Sequence, residues 1–569
     1  MNLPRIISRS SAPWPETRPH KPRKSGRSAA ARPASHSGSD TRSEQTVVRK
    51  ASKTSTETSP LGGFPDHCDL LVIGGGVNGT GIAMDAAGRG LRVVLCEMND
   101  LASATSSSSS KLIHGGLRYL EHYEFRLVRE ALAEREALLG NAPHIMWPMR
   151  FRLPHQPHLR PAWMIRTGLF LYDHLAKREL LAGSRAINFG KESPLKPEIT
   201  RGFEYSDGWV DDARLVVLSA RKAQQKGASI LPRTRCVRAE RKGSGWQAVL
   251  EDTLTGHTRT LSARVVVNAT GPWVSRLFGE SLGMAAPKQI RMVKGSHIVV
   301  PRLNQDTEAY ILQNADERIV FVIPYEDEFS LIGTTDVDYE GNPSEARISE
   351  EETRYLLDVV NQYFRRQLTP GDVVWSYSGV RPLMDDEGGN AQSASRDYSY
   401  EVDDQDHQAP LISVFGGKIT TFRKLAEAVT DAVCDYFPGA GKSWTRNALL
   451  PGADFASQQQ LAEELQLHYP WLDRAIIRRF VRSYGTDSHH ILKGCTGTED
   501  LGHAYTATLY QREVDYLIAH EWALSAEDVL WRRTKQGLYI TEQQREQLDS
   551  YIHRAATRHQ SLFTAAGSE

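Results

Sequence analysis

Three glycines and one glutamate form the first group of residues whose spacing indicates chemistry. Gly74, Gly76 and Gly79 are spaced as G-x-G-x-x-G, and Glu97 follows about twenty residues later. In this spacing the glycines allow a tight turn, close approach of backbone to phosphate, and close packing of a helix on a strand. A carboxylate at the end of the second strand can accept hydrogen bonds from a ribose. The pattern therefore predicts binding of a dinucleotide.

The elements needed to position these residues are also present in the sequence. Leu70–Ile73 predicts a first strand, Ile82–Ala87 a helix, and Arg92–Cys96 a second strand that ends at Glu97. The helix would direct free N–H groups and a partial positive charge at the anionic pyrophosphate. Because strand, glycines, helix, strand and acid occur in one unit, a fortuitous glycine-rich turn is a weak alternative.

A second junction of strand and glycine lies far along the chain. Ala263–Thr270 predicts a buried strand, and Gly271 follows it directly. An Ala-Thr-Gly turn occurs near the cofactor in many FAD enzymes, and simple NAD domains usually lack it. Thr270 and Gly271 are therefore candidate cofactor-binding residues, and the turn favours FAD over NAD or NADP.

A third junction follows the predicted strand Leu411–Phe415. Gly416 and Gly417 allow backbone to approach a ligand, and Lys418 and Thr420 come next, at the predicted start of a helix. Three such junctions in one chain suit an extended FAD bound along one sheet. All four of these residues are candidates for the cofactor site.

Several longer motifs give a more specific indication. They are Thr105–Glu136, Phe151–Leu175, Lys294–Pro301, Arg318–Asp336, Tyr377–Leu383, His520–Leu524 and Trp531–Gly537. In these motifs the chain resembles the membrane-associated, FAD-dependent glycerol-3-phosphate dehydrogenases of aerobic bacteria. The resemblance extends over roughly residues 66–555. It implies FAD as cofactor and glycerol 3-phosphate as substrate.

The resemblance also implies a substrate site. A small dianionic substrate calls for arginines, which bind phosphate in a planar, two-pronged manner. Arg118, Tyr119 and Arg381 are expected to hold the phosphate and the glycerol hydroxyls, with Arg318 close by. Thr335, at the end of the predicted hairpin Ile319–Pro324 and Phe329–Gly333, is expected to line the cavity.

The catalytic residues are less clearly marked. Lys418 is the candidate for a positive charge beside the flavin, and His297 is the candidate base, since imidazole can titrate near neutral pH. A hydrogen-bonded structural histidine is the alternative, and Arg381 could instead polarise the substrate hydroxyl. The serine run Ser106–Ser110 is either a flexible linker or a source of hydroxyls for FAD. Its position favours the second interpretation, with Ser106 and Ser107 as cofactor-binding candidates.

The expected fold class is α/β. A Rossmann-like, doubly wound parallel sheet would form the FAD-binding domain from residues 67–145, 208–272 and 372–440. Residues 146–207 and 273–371 would form an antiparallel-sheet substrate domain, and 445–569 a helical C-terminal domain. The helical pattern there includes Leu461, Leu465, Leu467, Ile476 and Phe480.

Residues 1–66 are expected to form a disordered basic leader. The first 60 residues hold twelve Lys and Arg against four Asp and Glu, a net charge of +8, although the whole chain is neutral. Few apolar residues are available to offset chain entropy. A dispensable or wrongly assigned extension, a basic surface tether and an organelle transit peptide are the three interpretations.

Composition limits the other classes of function. Five scattered cysteines have no C-x-x-C spacing, so reduced thiols are expected and no metal site is predicted. No apolar run reaches about 18 residues, so any membrane contact should be peripheral, at the cytoplasmic face of the inner (plasma) membrane. No nucleic-acid partner is predicted. A homodimer is compatible with the helical C-terminal part.

The expected reaction is oxidation of sn-glycerol 3-phosphate to dihydroxyacetone phosphate by hydride transfer to FAD, with electrons passed to membrane quinone. One alternative is a soluble glycerol-3-phosphate oxidase that uses oxygen. A second is a flavin-dependent amino-acid or amine oxidase, which the cluster of arginines disfavours. A non-enzymatic flavin-binding protein would be expected to lack Arg118, His297, Arg381 or Lys418, and all four are present.

Overall fold

The architecture is that of a computed structural model, which describes residues 65–565 apart from 118–119, 121–122, 158, 315, 317, 385–397 and 406–407. The predicted basic leader up to residue 64 lies outside the described residues. Arg118 and Tyr119, predicted for the substrate site, also lie outside them.

The strands belong to two sheets. In chain order they are β1 (His67–Ile73), β2 (Val93–Cys96), β3 (Leu112–Ile113), β4 (Met146–Pro154), β5 (Arg185–Asn188), β6 (Arg201–Val210), β7 (Ser229–Leu231), β8 (Thr234–Lys242), β9 (Gly245–Asp252), β10 (Thr258–Asn268), β11 (Ile290–Pro301), β12 (Ala309–Gln313), β13 (Ile319–Tyr325), β14 (Phe329–Gly333), β15 (Val337–Asp338), β16 (Trp375–Met384), β17 (Tyr398–Gln405) and β18 (Gln408–Gly416).

The α-helices are distributed along the described residues. In chain order they are α1 (Val77–Gly88), α2 (Phe125–Asn141), α3 (Ala162–His174), α4 (Asp212–Gln225), α5 (Val274–Leu277), α6 (Glu350–Tyr363), α7 (Phe422–Cys434), α8 (Gln458–His468), α9 (Arg474–Tyr484), α10 (Ser488–Leu492), α11 (Gln511–Glu521) and α12 (Glu542–Ala565). Within the described residues, none of them combines the length and the apolar composition required to cross a membrane.

The first sheet has the order β17-β18-β10-β1-β2-β7. Its strands β18, β10, β1, β2 and β7 are parallel, and β17 is an antiparallel edge. Helices α1, α4 and α7 contribute to the core on one face, where Leu70 and Val72 lie in one buried cluster with Ile82, Val217 and Val429. Because β1 is buried on both faces, its sequence is continuously apolar and does not alternate. The predicted Rossmann-like parallel sheet is confirmed.

The second face of this sheet differs in detail from a double layer of helices. Leu71 and Ile73 pack there with Trp246 and Leu250 of the β8–β9 hairpin and with Val274 of the short helix α5. The hairpin extends the sheet through β9, which pairs with the first half of β10. Helical layering is therefore concentrated on one face, and a hairpin covers most of the other.

The second sheet is mostly antiparallel, with the order β15-β11-β14-β13-β12-β4-β6-β3, and with β16 paired to β11 and β5 to β6. The predicted hairpin is confirmed as β13 and β14. Strand β16 lies in this sheet although its residues fall within 372–440, the segment assigned to the FAD-binding domain. The domain boundaries themselves stay a prediction.

The C-terminal part is helical, as predicted, and has its own core. Leu461, Leu465, Ile476 and Phe480 are all buried in it. Leu467 is the exception among the predicted core residues, because it lies on the outer side of α8 with 81% of its surface exposed. An apolar side chain near the end of a short helix matched the periodic pattern without belonging to the core.

Candidate active site

A cavity of about 1240 Å³ is lined by residues from both sheets. The ends of β1, β2, β10 and β18 contribute Gly74, Glu97, Thr270 and Gly416 to its wall. Parallel strands end at the same edge of a sheet, so junctions far apart in sequence meet at one place. Of the predicted site residues, the cavity is lined by Gly74, Gly76, Glu97, Ser106, Thr270, Gly271, Arg381, Gly416, Gly417, Lys418 and Thr420.

The first glycine turn is shaped by close backbone contacts. Gly74 has φ +116°, and a Cβ at this position would lie 2.5 Å from the Ala269 carbonyl oxygen. A Cβ on Gly79 would lie 2.0 Å from the carbonyl oxygen of Gly74, so Gly79 allows α1 to pack tightly against the turn. Gly79 does not itself line the cavity, which agrees with a packing role. Gly76 lies just before α1 and does line it.

Glu97 is fixed by backbone before any ligand binds. One carboxylate oxygen accepts a hydrogen bond from the Gly75 N–H at 2.7 Å, and the other accepts one from the Asn99 N–H at 2.8 Å. Burial raises the pKa of this carboxyl group, against these two hydrogen bonds. The side chain therefore has a set orientation at the end of β2, where a ribose is expected.

The Ala-Thr-Gly turn is organised by Asn268, the polar residue that interrupts its strand. The Asn268 side-chain amide donates to the Val274 carbonyl at 3.0 Å, and its oxygen accepts from the Thr270 hydroxyl at 2.7 Å. Asn268 is fully buried. This polar residue connects the end of β10 to α5 and holds Thr270 and Gly271 at the cavity wall.

The third glycine turn is tied to the first. The carbonyl oxygen of Gly416 accepts a hydrogen bond from the Asn78 side-chain amide at 3.3 Å. The Thr420 hydroxyl accepts one from the His114 N–H, also at 3.3 Å. Lys418 lies between these two contacts and lines the cavity.

The serine run forms a loop, Thr105–Ser110, which we call the serine loop. The Ser106 hydroxyl accepts a hydrogen bond from the Val77 N–H at 3.0 Å, at the first residue of α1. Ser107 points elsewhere: its hydroxyl donates to the Ala104 carbonyl at 3.3 Å, and the residue does not line the cavity. Ser108, Ser109 and Ser110 do line it. The loop is thus part of the site, but Ser107 supports its turn and does not face the cavity.

Arg381 is held at the cavity wall by two neighbours. Its guanidinium group contacts the Asp336 carboxylate at 2.5 Å and donates to the Thr334 hydroxyl at 2.6 Å. All three residues line the cavity. The pairing fixes the arginine on β16 against the end of β14.

Two predicted substrate residues are placed outside the cavity wall. Thr335 is buried, and its hydroxyl donates to Glu352 at 2.8 Å and accepts from the Ser296 N–H at 3.0 Å. The guanidinium of Arg318 pairs with Asp316 at 2.6 Å and stacks over the Tyr355 ring. These contacts direct both side chains away from the cavity, so neither Thr335 nor Arg318 belongs to the candidate substrate site.

His297 lies behind the cavity wall and not in it. Its Nε2 is 2.9 Å from the Ser110 hydroxyl oxygen, and its ring stacks on Tyr377 with centroids 4.8 Å apart. Nδ1 has no hydrogen-bond partner among the described residues. Burial, and then the charges of Arg381 and Lys111, hold the pKa of His297 well below its usual value. The ring is therefore neutral at pH 7 and meets the cavity through Ser110.

Sequence reasoning missed a buried ion pair under the serine loop. The Lys111 ammonium donates to Asp212 at 2.7 Å, and both side chains are almost completely buried. Lys111 stands inside a quoted motif, but Asp212 belongs to no motif and lies about a hundred residues away. An acid before an apolar helical pattern indicates only a helix start, so no sequence signal connected it to the loop.

The site as a whole suits FAD. Glycines at three strand ends line the cavity with positive φ angles that other residues rarely adopt, the N-terminus of α1 forms part of its wall, and Glu97 is fixed beside it. A family model described as FAD dependent oxidoreductase matches residues 69–402. The chain belongs to this family of FAD-dependent oxidoreductases, and FAD is its cofactor. A second model, the C-terminal domain of alpha-glycerophosphate oxidase, matches residues 443–560.

Individual relatives narrow the class, and the resemblance found in the motifs is confirmed. The chain is 54% identical to the aerobic glycerol-3-phosphate dehydrogenase of Escherichia coli, covering 85% of this chain and 97% of the relative. It is 55% identical to the glycerol-3-phosphate dehydrogenase of Pseudomonas aeruginosa, covering 88% and 97%. Within its family the chain groups with the glycerol-3-phosphate dehydrogenases.

Two further comparisons bear on cofactor and substrate. The structure of the glycerol-3-phosphate dehydrogenase from Bacillus halodurans complexed with FAD has a TM-score of 0.64 and 28% identity, over 86% of this chain and 94% of that one. The D-erythritol 1-phosphate dehydrogenase of Brucella abortus is 50% identical, covering 84% of this chain and 97% of the relative. Relatives of similar identity thus carry names with different polyol phosphates.

The buried, neutral state of His297 has a consequence for stability. Its folded pKa lies below the unfolded value of about 6.5, so the unfolded chain binds more protons as pH falls through that value. Wild-type protein should therefore lose up to about 1.4 kcal/mol per pH unit more than His297→Gln on acidification below pH ~6.5. Urea unfolding at a series of pH values measures the difference. Equal slopes for wild type and His297→Gln would contradict the assignment.

Proposed function

We propose that the protein oxidises sn-glycerol 3-phosphate to dihydroxyacetone phosphate, with FAD as the first electron acceptor and a membrane quinone as the second. The observation that carries the proposal is Arg381, held by Asp336 and Thr334 in the wall of the same cavity as the FAD-type glycine turns. An arginine fixed in this way suits a phosphate-bearing substrate. The names of the E. coli and P. aeruginosa relatives support the choice of glycerol 3-phosphate.

The chain's own residues would divide the work as follows. Arg381 binds the substrate and, with Lys418 on the opposite glycine turn, stabilises negative charge that develops during oxidation. Arg118 and Tyr119 complete the phosphate site, as the family resemblance implies. The chemistry that FAD supplies when bound is acceptance of two electrons from the carbon being oxidised.

The hydroxyl proton of the substrate needs an acceptor. Ser110 lines the cavity, and its hydroxyl oxygen is 2.9 Å from Nε2 of the neutral His297. A proton that leaves the substrate hydroxyl can therefore pass through Ser110 to His297 Nε2, where the negative charge of the bound phosphate would offset the burial and the two cations that lower the pKa of His297. The sequence left the base open between His297 and an Arg381-polarised hydroxyl, and the Ser110 contact favours His297.

A peripheral membrane contact is proposed at helix α3. Trp163 and Phe170 are 68% and 54% exposed, and Met164 and Leu171 on the same side are also exposed. Trp163 and Phe170 are seven residues apart, as are Met164 and Leu171, so the four side chains form one outward stripe on the helix. The inner side of α3 contributes Ile165 to the wall of the main cavity. An apolar quinone dissolved in the membrane would thus reach the cavity beside the helix that contacts the lipid.

Basic side chains flank this apolar stripe. A second cavity of about 470 Å³ is lined by Arg129, His174, Lys177 and Arg178, together with Asp173. Lys177 and Arg178 are partly balanced by Glu179 and Asp173, at 2.7 and 3.5 Å, and the remaining positive charge next to an exposed apolar helix face suits a surface of anionic lipids. This arrangement supports a peripheral membrane contact, and the cytoplasmic face of the inner membrane stays a prediction. The homodimer stays a prediction.

The substrate assignment is tested by Arg381→Ala. Loss of a charge-assisted contact to phosphate costs about 1.5–3 kcal/mol, so kcat/KM for glycerol 3-phosphate should fall roughly ten- to hundred-fold. Arg318→Ala is a matched control and should stay within about threefold of wild type, because Arg318 lies outside the cavity wall. A wild-type value for Arg381→Ala would remove that residue from the site.

Anaerobic flavin bleaching tests both substrate and acceptor. We expect glycerol 3-phosphate to bleach the flavin absorbance rapidly, and a short-chain quinone to restore it faster than oxygen does. Recovery with oxygen and release of peroxide would favour the oxidase instead. Faster bleaching by D-erythritol 1-phosphate would move the substrate assignment to the larger polyol phosphate. No bleaching by either would exclude this class of substrate.

The α3 surface is tested with vesicles. Removal of Trp163 and Phe170 by substitution with serine should weaken binding to phosphatidylglycerol vesicles at least about tenfold, because each aromatic side chain contributes roughly 1.5–3 kcal/mol when buried. Leu467→Ser is the matched control, since Leu467 is similarly exposed but lies on α8. Unchanged binding of the α3 variant in co-sedimentation would place the membrane contact elsewhere.

A further inference from the structure

The C-terminal segment Trp531–Gly537 connects the helical part to the cofactor-binding part through buried charges. Arg533 pairs with Asp100 on the loop after β2, with N···O distances of 2.8 Å. The Lys535 ammonium donates to both carboxylate oxygens of Asp211, at 2.9 and 3.0 Å. The motif Trp531–Gly537 has no role in the reaction proposed above. Its cations contact the loop after β2 and the junction between β6 and α4.

Asp211 and the next residue form an unusual pair of adjacent buried acids at the start of α4. Asp211 caps the helix by accepting a hydrogen bond from the Arg214 N–H at 3.2 Å. Asp212 is fully buried and pairs with Lys111. Two neighbouring buried carboxylates require two cations, because an uncompensated buried charge is strongly destabilising. Lys535 serves the first carboxylate and Lys111 the second.

The two cations are close enough to affect each other's partner. Burial raises the pKa of Asp211, but the charges of Lys535 and then Lys111 outweigh it and leave this pKa below the usual value. The Lys111 carbonyl accepts a hydrogen bond from the Val210 N–H at 2.9 Å, which places Lys111 beside Asp211 as well as Asp212, so Lys111 is a replacement cation if Lys535 is lost. Its charge would then be divided between two carboxylates.

Asp212 and Lys111 together hold the serine loop. Asp212 accepts hydrogen bonds from the Ser109 N–H at 3.1 Å and from the Ser109 hydroxyl at 2.7 Å. Lys111 also donates to the Ser107 carbonyl at 3.1 Å. The next serine, Ser110, is the residue that contacts His297 at the cavity. The position of this contact thus depends on how firmly Lys111 and Asp212 stay paired.

The same segment also supports the strand behind His297. Trp531 stacks on Trp375 with centroids 3.8 Å apart and an angle of 10° between the rings. Trp375 in turn contacts Tyr377, which stacks on His297 and donates its hydroxyl to the Ser109 carbonyl at 2.7 Å. The segment Trp531–Gly537 therefore supports the serine loop in two ways, through the Lys535–Asp211 pair and through the stacked rings that end at Tyr377.

We propose that Lys535, in the C-terminal helical part, is a positioning residue for the active site. Because Lys535 neutralises Asp211, Lys111 stays paired with Asp212 alone. This pairing fixes the serine loop and the Ser110–His297 contact. Lys535 touches neither the cavity nor the reacting groups. The effect on catalysis rests on the function proposed above, whereas the effect on the loop does not.

The test compares Lys535→Met, Asp211→Asn and the double variant in the full-length holoenzyme. Amide hydrogen exchange of residues 105–112 reports loop order, and the rate of anaerobic flavin reduction by glycerol 3-phosphate reports catalysis. We expect Lys535→Met to speed exchange in this segment, and to slow flavin reduction, each by at least about tenfold. Asp211→Asn leaves Lys535 without its buried partner and should lower global stability, but exchange in 105–112 and flavin reduction should stay within about threefold of wild type, since asparagine caps a helix as well as aspartate and Lys111 remains with Asp212. The double variant should return both measurements to within about threefold of wild type.

A control in the same helical part separates positioning from general destabilisation. Arg479→Met breaks the buried pair of Arg479 with Glu513, which joins α9 to α11. It should leave exchange in 105–112 and flavin reduction unchanged.

Wild-type exchange in Lys535→Met, fast exchange in Asp211→Asn, or failure of the double variant to recover would each overturn the proposal. If Lys535→Met does not fold, Asp211→Asn and the double variant Lys535→Met/Asp211→Asn still test the proposal. Absence of flavin reduction in the wild type would contradict the proposed function only. The proposal on Lys535 would still be tested, because the exchange measurements do not require turnover.

Discussion

The close contact between helix α1 and the turn before it is the constraint on which the site depends. A Cβ on Gly79 would lie 2.0 Å from the Gly74 carbonyl oxygen, so the helix can begin where it does only with glycine there. From that position, the Val77 N–H reaches Ser106 and the Asn78 side chain reaches the Gly416 carbonyl. The first turn of one helix thus sets the relative position of the serine loop and the third glycine turn. Backbone packing at Gly79 places the helix, and the Ser106 and Asn78 side chains then fix the two loops against it.

Buried charge gives the second level of organisation. Arg533 with Asp100, Lys535 with Asp211 and Lys111 with Asp212 are all removed from water, and each joins segments that are distant in sequence. Such pairs add little net stability over apolar residues of similar size, but loss of one partner is costly. Their effect is to permit one arrangement of the loops around the cavity and to disfavour others. The cavity wall itself carries the less buried Arg381, whose guanidinium can still meet a ligand.

The sequence allowed much of this to be predicted where the signal is local. The β1–α1–β2 unit, the three glycine junctions and the β13–β14 hairpin each depend on residues close together in the chain. The family motif Tyr377–Leu383 pointed to Arg381 and the third glycine junction pointed to Lys418, and both residues line the cavity. Predictions of side-chain direction were less successful. Thr334 and Asp336 face the cavity while Thr335 between them is buried against Glu352, and Arg318 turns to Asp316 and Tyr355.

What could not be predicted depends on contacts between distant segments. His297 is an attractive base by residue type, but its place behind Ser110 follows from how β11 pairs with β16 and how the serine loop folds over them. Asp212 supports that loop from about a hundred residues away, and Lys535 supports it indirectly from more than three hundred. Neither distance leaves a periodic pattern or a motif in the sequence. The helical pattern of the C-terminal part, by contrast, was clear enough to predict its core, except for the exposed Leu467.

The strand order of the parallel sheet has a consequence for how the protein is made. Strand β1 pairs with β10, and β10 pairs with β18, which ends at Gly416. During synthesis, the first glycine turn emerges long before its partners, and the sheet stays open until most of the chain has left the ribosome. The segment Trp531–Gly537 arrives after β18, and its Arg533 and Lys535 then pair with the loops at the sheet edge. Cofactor capture is therefore a late event in biogenesis, and nascent chains must remain unaggregated with an incomplete central sheet until β18 has emerged.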